Sequence, residues 1–235
     1  MDLSPGYREL APPPHLRDAV ACLWVRVPEP DAPPVRILPD ACSDVIWSRG
    51  RGTFVAGPDT SAHLATADGL LVGLRFRPGA GGAGLGLPLD ELTDRRADAR
   101  DVDRAYAVSP DATPEQAVQQ LVRAAAGRTP DPLVRAAMAG EDVGLSDRQL
   151  RRRFRAATGY GPATLARIER FLDFVARADA TPQRPLAALA LDAGYADQAH
   201  LTRECTRLAG LPPAQLMRAR AAPRPSAGTA SPPTR

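Results

Sequence analysis

The chain has 235 residues, 44% of them apolar, and its 30 basic side chains, every one an arginine, face 27 acidic ones. That length allows one large domain or two ordinary ones with real cores. The ordinary charged fraction excludes a wholly disordered chain, and no apolar run approaches the ~18 to 20 residues of a membrane span. Charge is unevenly placed: residues 1–127 carry 13 arginines against 17 acids, net −4, and residues 128–235 carry 17 against 10, net +7. A polyanion is therefore expected to meet the second half. Cys22, Cys42 and Cys205 are scattered and odd in number, which argues against a disulfide framework and for a reducing, cytoplasmic setting. The start, MDLSPGYREL, has no basic start followed by an apolar run, so no signal peptide is expected.

Residues 5–100 read as strand-rich. ACLWVRV (Ala21–Val27), VRILP (Val35–Pro39), DVIWS (Asp44–Ser48), GTFVAG (Gly52–Gly57) and GLLVGLRFRP (Gly69–Pro78) are short apolar or alternating runs. Pro, Gly, Asp and Ser punctuate them at roughly 8 to 15 residues, the rhythm of small β sandwiches and barrels. GAGGAG, Gly79 to Gly84, satisfies the dinucleotide spacing, but no helix opening or βαβ unit is expected around it, so it reads as a flexible loop. Asp40 and Asp44 in PDACSD are either ligand-facing or turn residues, the turn being favoured. Cys22 and Cys42 lie in apolar runs and read as buried, inert thiols rather than a thiol sensor.

PLDELTDRR is expected to form a short helix, and Pro114–Gly127 a longer one capped by Thr113. From Pro132 the pattern is helical throughout. SDRQLRRRFRAATG starts at a Ser cap and ends at Gly159. PATLARIERFLDFVARAD puts Leu165, Ile168, Leu172 and Val175 on one face, and PLAALALDAG does the same with Leu186, Leu189, Ala190 and Ala193. DQAHLTRECTRLAG and PPAQLMRAR follow. The Pro/Ala/Ser-rich tail from Ala221 is expected to be disordered.

Two short helices joined by a tight Gly-containing turn make a helix-turn-helix. In LDAGYADQAHLTREC, Gly194 supplies the stop, Tyr195 fills the crook, and Asp197 caps the next helix. Leu201, Cys205 and Leu208 then face inward, and Gln198, Ala199, Thr202, Arg203 and Thr206 outward, with His200 at the margin. Gln and Arg near the start of such a helix can bond base edges in the major groove. The same layout occurs about 50 residues earlier, as an internal repeat. There Leu150, Phe154 and Ala157 face inward, while Arg148, Arg151, Arg152 and Arg155 form one stripe with no acidic i+4 partner on it.

The stretches LAALALDAGYADQAHLTRECTRLAGLPPAQL and GLSDRQLRRRFRAATGYGPATLARIERF resemble the AraC/XylS family of transcriptional regulators, over roughly Pro132 to Arg220. The resemblance implies an α+β chain: a β-rich barrel- or sandwich-like domain (1–110), a helical linker (111–130), an all-α DNA-binding domain with two helix-turn-helix units (131–220), and a tail (221–235). A rigid linker helix, Ala163–Ala178, about 24 Å at 1.5 Å per residue, would join the units. The family's base-facing positions fall on Arg148, Arg151 and Arg152 in the first unit, and on Gln198, Ala199, His200 and Arg203 in the second. Arg155 and Thr202 lie on the same surfaces. The implied partner is double-stranded DNA; a small-molecule effector, a second copy of the chain and RNA polymerase are further candidates. No cofactor, metal ligand set or catalytic constellation is expected: His15, His63, His200 and the cysteines have no paired ligand spacing. Three positions depart from the family. Gly140 stands where a helix-packing Ala is usual. Cys205 for Phe and Leu216 for Tyr remove core bulk, a change worth about 2 to 5 kcal/mol unless neighbours compensate. The alternative function is a ligand-binding or protein-interaction module whose first helix-turn-helix is degenerate.

Overall fold

Alternation of apolar and polar residues organises the first half. In the computed structural model, which describes residues 3–29, 32–66 and 69–221, eight strands precede the helical half. They are β1 (Gly6–Leu10), β2 (Val20–Val27), β3 (Val35–Ile37), β4 (Ser43–Ser48), β5 (Gly52–Ala56), β6 (His63–Ala65), β7 (Leu71–Phe76) and β8 (Arg96–Asp98). Six form an open sheet in the order β1-β2-β7-β4-β5-β8, and β3 and β6 pair as a separate ribbon. Every pairing is antiparallel.

One sheet face carries Val45 and Trp47 of β4 and Val72, Leu74 and Phe76 of β7, all fully buried. A register shift between Val20 and Cys22 lets Val20, Leu23 and Val25 share that face despite their odd spacing. The face is closed by Tyr106 and by α3 (Pro114–Ala125), through Ala117, Leu121 and Ala125. The segment read as a linker is thus part of the β-rich core. Thr113 and Gln116 close a reciprocal capping box at its start.

GAGGAG is not a loop. It opens α1 (Gly81–Leu85), whose glycines are buried because other groups occupy the space a Cβ would need. A Cβ on Gly81 would lie 2.3 Å from Ser43 Oγ, on Gly82 2.1 Å from Ala156 O, and on Gly84 2.3 Å from the Phe76 ring. The spacing that imitates a nucleotide fingerprint serves close packing between the sheet and the helical half. PLDELTDRR forms a single 3-10 turn, Leu89–Leu92, broken at Thr93 and at Asp94, whose φ is +58°. A four-residue helix, α2 (Ala99–Val102), follows β8.

The second half contains α4 (Pro132–Met138), α5 (Asp147–Thr158), α6 (Pro162–Ala180), α7 (Leu186–Asp192), α8 (Gln198–Ala209) and α9 (Pro213–Ala221). Leu165, Ile168, Phe171, Phe174, Val175 and Ala178 of α6 are buried and form the spine of a second core. Leu172, expected on that face, is only half-buried. Cys205 and Leu216 are 0% and 2% exposed, so neighbours fill the space that larger residues would take. Gly140, at φ +82°, follows the end of α4, and a Cβ there would meet nothing within 4 Å among the described residues, so it stops that helix rather than packing it. Ala221 is the last described residue, so the expected disordered tail lies outside the described residues.

Candidate nucleic-acid interface

Both helix-turn-helix units are built as local chemistry dictates. In the first, α4 starts at an Asp131 cap and α5 at Ser146, which forms a capping box with Gln149. Gly159, at φ +78°, ends α5. In the second, Tyr195 N–H donates to Ala190 O at 2.9 Å and Gly194 adopts φ +78°, closing the turn after α7. Asp197 accepts from His200 N–H at 2.6 Å and starts α8. Tyr195 fills the crook, 3% exposed, with Arg170 of α6 over its ring. Burial pushes its hydroxyl up to about 12, and among the described residues no partner meets that hydroxyl.

The arginine stripe of α5 is as expected. Arg148, Arg151, Arg152 and Arg155 are exposed, and among the described residues none has an ion-pair or hydrogen-bond partner. Arg153 points elsewhere and binds Asp131 at 2.7 Å. On α8, Gln198, Ala199 and Arg203 are exposed, and the Arg203 guanidinium is likewise unpaired. His200 and Thr202 are half-buried and engaged within their own helix-turn-helix unit. The His200 ring stands edge-on to Tyr195 at 5.2 Å, and the Thr202 hydroxyl donates to Gln198 O at 2.8 Å. Arg207, exposed and unpaired one turn beyond Arg203, extends this face. It lies one residue beyond Thr206, the last position expected on this face, and its i+4 spacing from Arg203 is the sequence signal for it. Arg167 of α6 holds Glu204 at 2.9 Å, so the acid on α8 is neutralised from behind while the arginines stay free.

The β-rich half approaches the units from their C-terminal ends. Thr93 Oγ1 donates to Gly159 O at 2.9 Å, and the Tyr160 hydroxyl donates to Asp59 O. Ala62 N–H donates to Leu208 O at 2.7 Å, and Arg36 to Ala209 O at 2.9 Å. Leu38 and Ala41 pack into the helical core.

The sheet face turned away from α3 carries a polar cluster. The Trp24 indole lies across Gly73, where a Cβ would sit 2.1 Å from it, and donates to Asp44 at 2.7 Å. Arg75 binds Asp44 at 3.1 Å and approaches Asp40 at 3.5 Å. Asp40 also accepts from Cys42 N–H at 3.0 Å, the turn chemistry expected of it. Asp44 instead sits inside β4, buried and doubly bonded. Among the described residues no group of three His, Cys, Asp or Glu could hold a metal ion, and no helix is long and apolar enough to cross a membrane.

Comparison with known proteins follows this division. Residues 139–219 match the family described as a helix-turn-helix domain, and residues 8–98 match a domain family of unknown function. No curated protein matches the chain. Among solved structures, an apo ToxT variant from Vibrio cholerae is similar at 10% identity and a TM-score of 0.34, over 83% of this chain and 97% of that one. That likeness is too loose to carry any feature across. With its two capped units on one helix and their open basic faces, the C-terminal part is a helix-turn-helix domain of the AraC type, and the chain is a DNA-binding transcription regulator.

Proposed function

We propose that the chain reads a specific DNA sequence through both units, laying α5 and α8 in successive major-groove turns, and that a small-molecule effector modulates it through the β-rich half. The observation that carries the reading is the pair of unpaired basic faces on α5 and α8, two units joined through α6, which at 19 residues is about 28 Å long. That length suits two recognition helices one duplex turn apart on one side of the DNA. Arg148, Arg151, Arg152, Gln198, Ala199, His200 and Arg203 are the base-facing set. Arg155 and Thr202 flank it toward the phosphates. Effector control is supported by the segment 38–42, which runs from the Arg75 cluster into the helical core through Leu38 and Ala41. With this reading we further propose a second copy of the chain and RNA polymerase as candidate protein partners, and the cytoplasm as the place of action.

The test is selection from a random duplex library at two salt concentrations. Two enriched elements, roughly one helical turn apart, are expected. Arg203→Ala should relax preference at one base pair by about 1 to 3 kcal/mol. A loss spread evenly over all sequences would make Arg203 a phosphate contact. Binding without any motif would leave only the salt-dependent phosphate term. No binding at either salt would favour an interaction module with a degenerate first unit.

A further inference from the structure

The two recognition helices are joined in the chain by a soft connection. Between α5 and α6 stand Gly159, Tyr160 and Gly161, two glycines around one tyrosine. The first takes φ +78°, and the second caps α6 with no side-chain bond. Glycines on both sides leave this joint the freest backbone a chain can have. Tyr160 is nevertheless 3% exposed. Thr158 Oγ1 bonds the Tyr160 N–H and carbonyl at 3.0 and 3.1 Å, and the tyrosine ring lies in the helical core, but its hydroxyl is held from the β-rich half.

The segment Gly57–Ala62 reaches both units. Asp59 O accepts from the Tyr160 hydroxyl, just past the end of α5. Pro58 occupies the space beside Gly159, where a Cβ would lie 2.5 Å from its Cγ. Three residues on, Ala62 N–H donates to Leu208 O in the last turn of α8, and Arg36 from the adjoining ribbon donates to Ala209 O. The last carbonyls of a helix have no partner within it, so these bonds cap α8 from another part of the molecule.

The segment is itself braced. Arg96 grips the Asp59 carboxylate with two bonds, at 2.9 and 2.7 Å. Asp94 accepts from both the N–H and the hydroxyl of Thr60, at 2.6 and 2.7 Å. Gly57 is pressed so close to Leu92 that a Cβ would lie 1.9 Å from its carbonyl oxygen.

We infer that Gly57–Ala62 is a strut that fixes the placement of α5 relative to α8, and that Tyr160 and Arg36 are positioning residues for DNA reading. The inference rests on the two-unit reading proposed above. The strut meets the helices at their C-terminal ends and leaves the arginine faces open, so it sets the geometry of reading without blocking it.

The test uses the full chain and the double variant Tyr160→Phe/Arg36→Ala, which keeps the ring and removes one side-chain bond to each unit. Nitroxide labels carried by Glu141→Cys and Gln215→Cys, one exposed site in each unit, report the distance between units by pulsed electron resonance. The native cysteines are buried and stay unlabelled. One narrow distance is expected for the otherwise wild-type chain and a broadened distribution for the double variant, with unchanged circular dichroism. In parallel, one base pair is inserted between the two selected elements, which rotates them by about 35° relative to each other. The wild-type chain should lose most of its affinity on insertion, and the double variant should lose much less.

An equally narrow distance and an equally steep spacing penalty in the double variant would overturn the strut. If the wild-type chain selects no two-part site, the two-unit reading fails, and the label distances alone decide whether the strut holds the units. Tyr160→Phe alone, the gentler change, should broaden the distance part of the way.

Discussion

Water hardly reaches the three thiols: Cys22 is 7% exposed, Cys42 5% and Cys205 0%. Burial pushes Cys22, with Glu9 adding to the effect, and Cys205 up to about 12, and raises Cys42 as well. The thiolate is the reactive form, so at pH 8 the folded chain should consume almost no aromatic disulfide reagent while the denatured chain consumes three equivalents. A thiol that reacts promptly in the native state would restore the redox-sensor reading. This inertness was legible at Cys22 from the apolar run around it, and less so at Cys42, which stands between Asp40 and Asp44. The role of Asp44 was not. Its partners, Trp24 and Arg75, lie 20 and 31 residues away, and a local turn motif around Asp40 was the stronger nearby signal. The exposed, unpaired arginines were legible because charge without an i+4 partner at helical spacing is visible in one dimension. His200 and Thr202 were harder to place, because what engages them is the ring of Tyr195 and a carbonyl one turn back.

Among the elements, those set by local rules were read closely and those set by tertiary contact were not. Ser146 and Gln149, Asp197, Gly159 and Gly194 bound α5 and α8 through caps and stops that the sequence displays. β6 and β8, three residues each and built of His-Leu-Ala and Arg-Ala-Asp, offer no alternation to read. α1 is the clearest case. Each Gly within a helix costs about 1 kcal/mol against Ala, so GAGGAG looks like a loop. The helix forms because glycine lets it approach Ser43, Phe76 and α5 more closely than any other residue could. Gly82→Ala should therefore destabilise the chain by about 1 to 3 kcal/mol in urea unfolding, despite the better helix propensity of Ala. The Cβ would meet the carbonyl of Ala156, backbone that cannot turn aside. A neutral or stabilising result would mean that α1 and α5 are not packed in this way.

Across the whole molecule, the acidic β-rich half and the basic helical half are joined by shared packing as well as by hydrogen bonds. Leu38 and Ala41 belong to the helical core by contact and to the β-rich half by sequence. The two tryptophans lie on one side of that boundary: Trp47 is fully buried in the sheet core, and Trp24 lies on the opposite sheet face beside Asp44. The helical half has none. Tryptophan emission thus follows the β-rich half alone, whereas far-ultraviolet dichroism is dominated by the helices. If the interface couples the halves, the two signals should melt together; separated transitions would show two independently unfolding bodies. The same placement makes the chain its own optical gauge. If DNA docks on the basic faces as proposed, it meets no tryptophan there, and any change in emission has crossed the boundary from the helical half to the sheet.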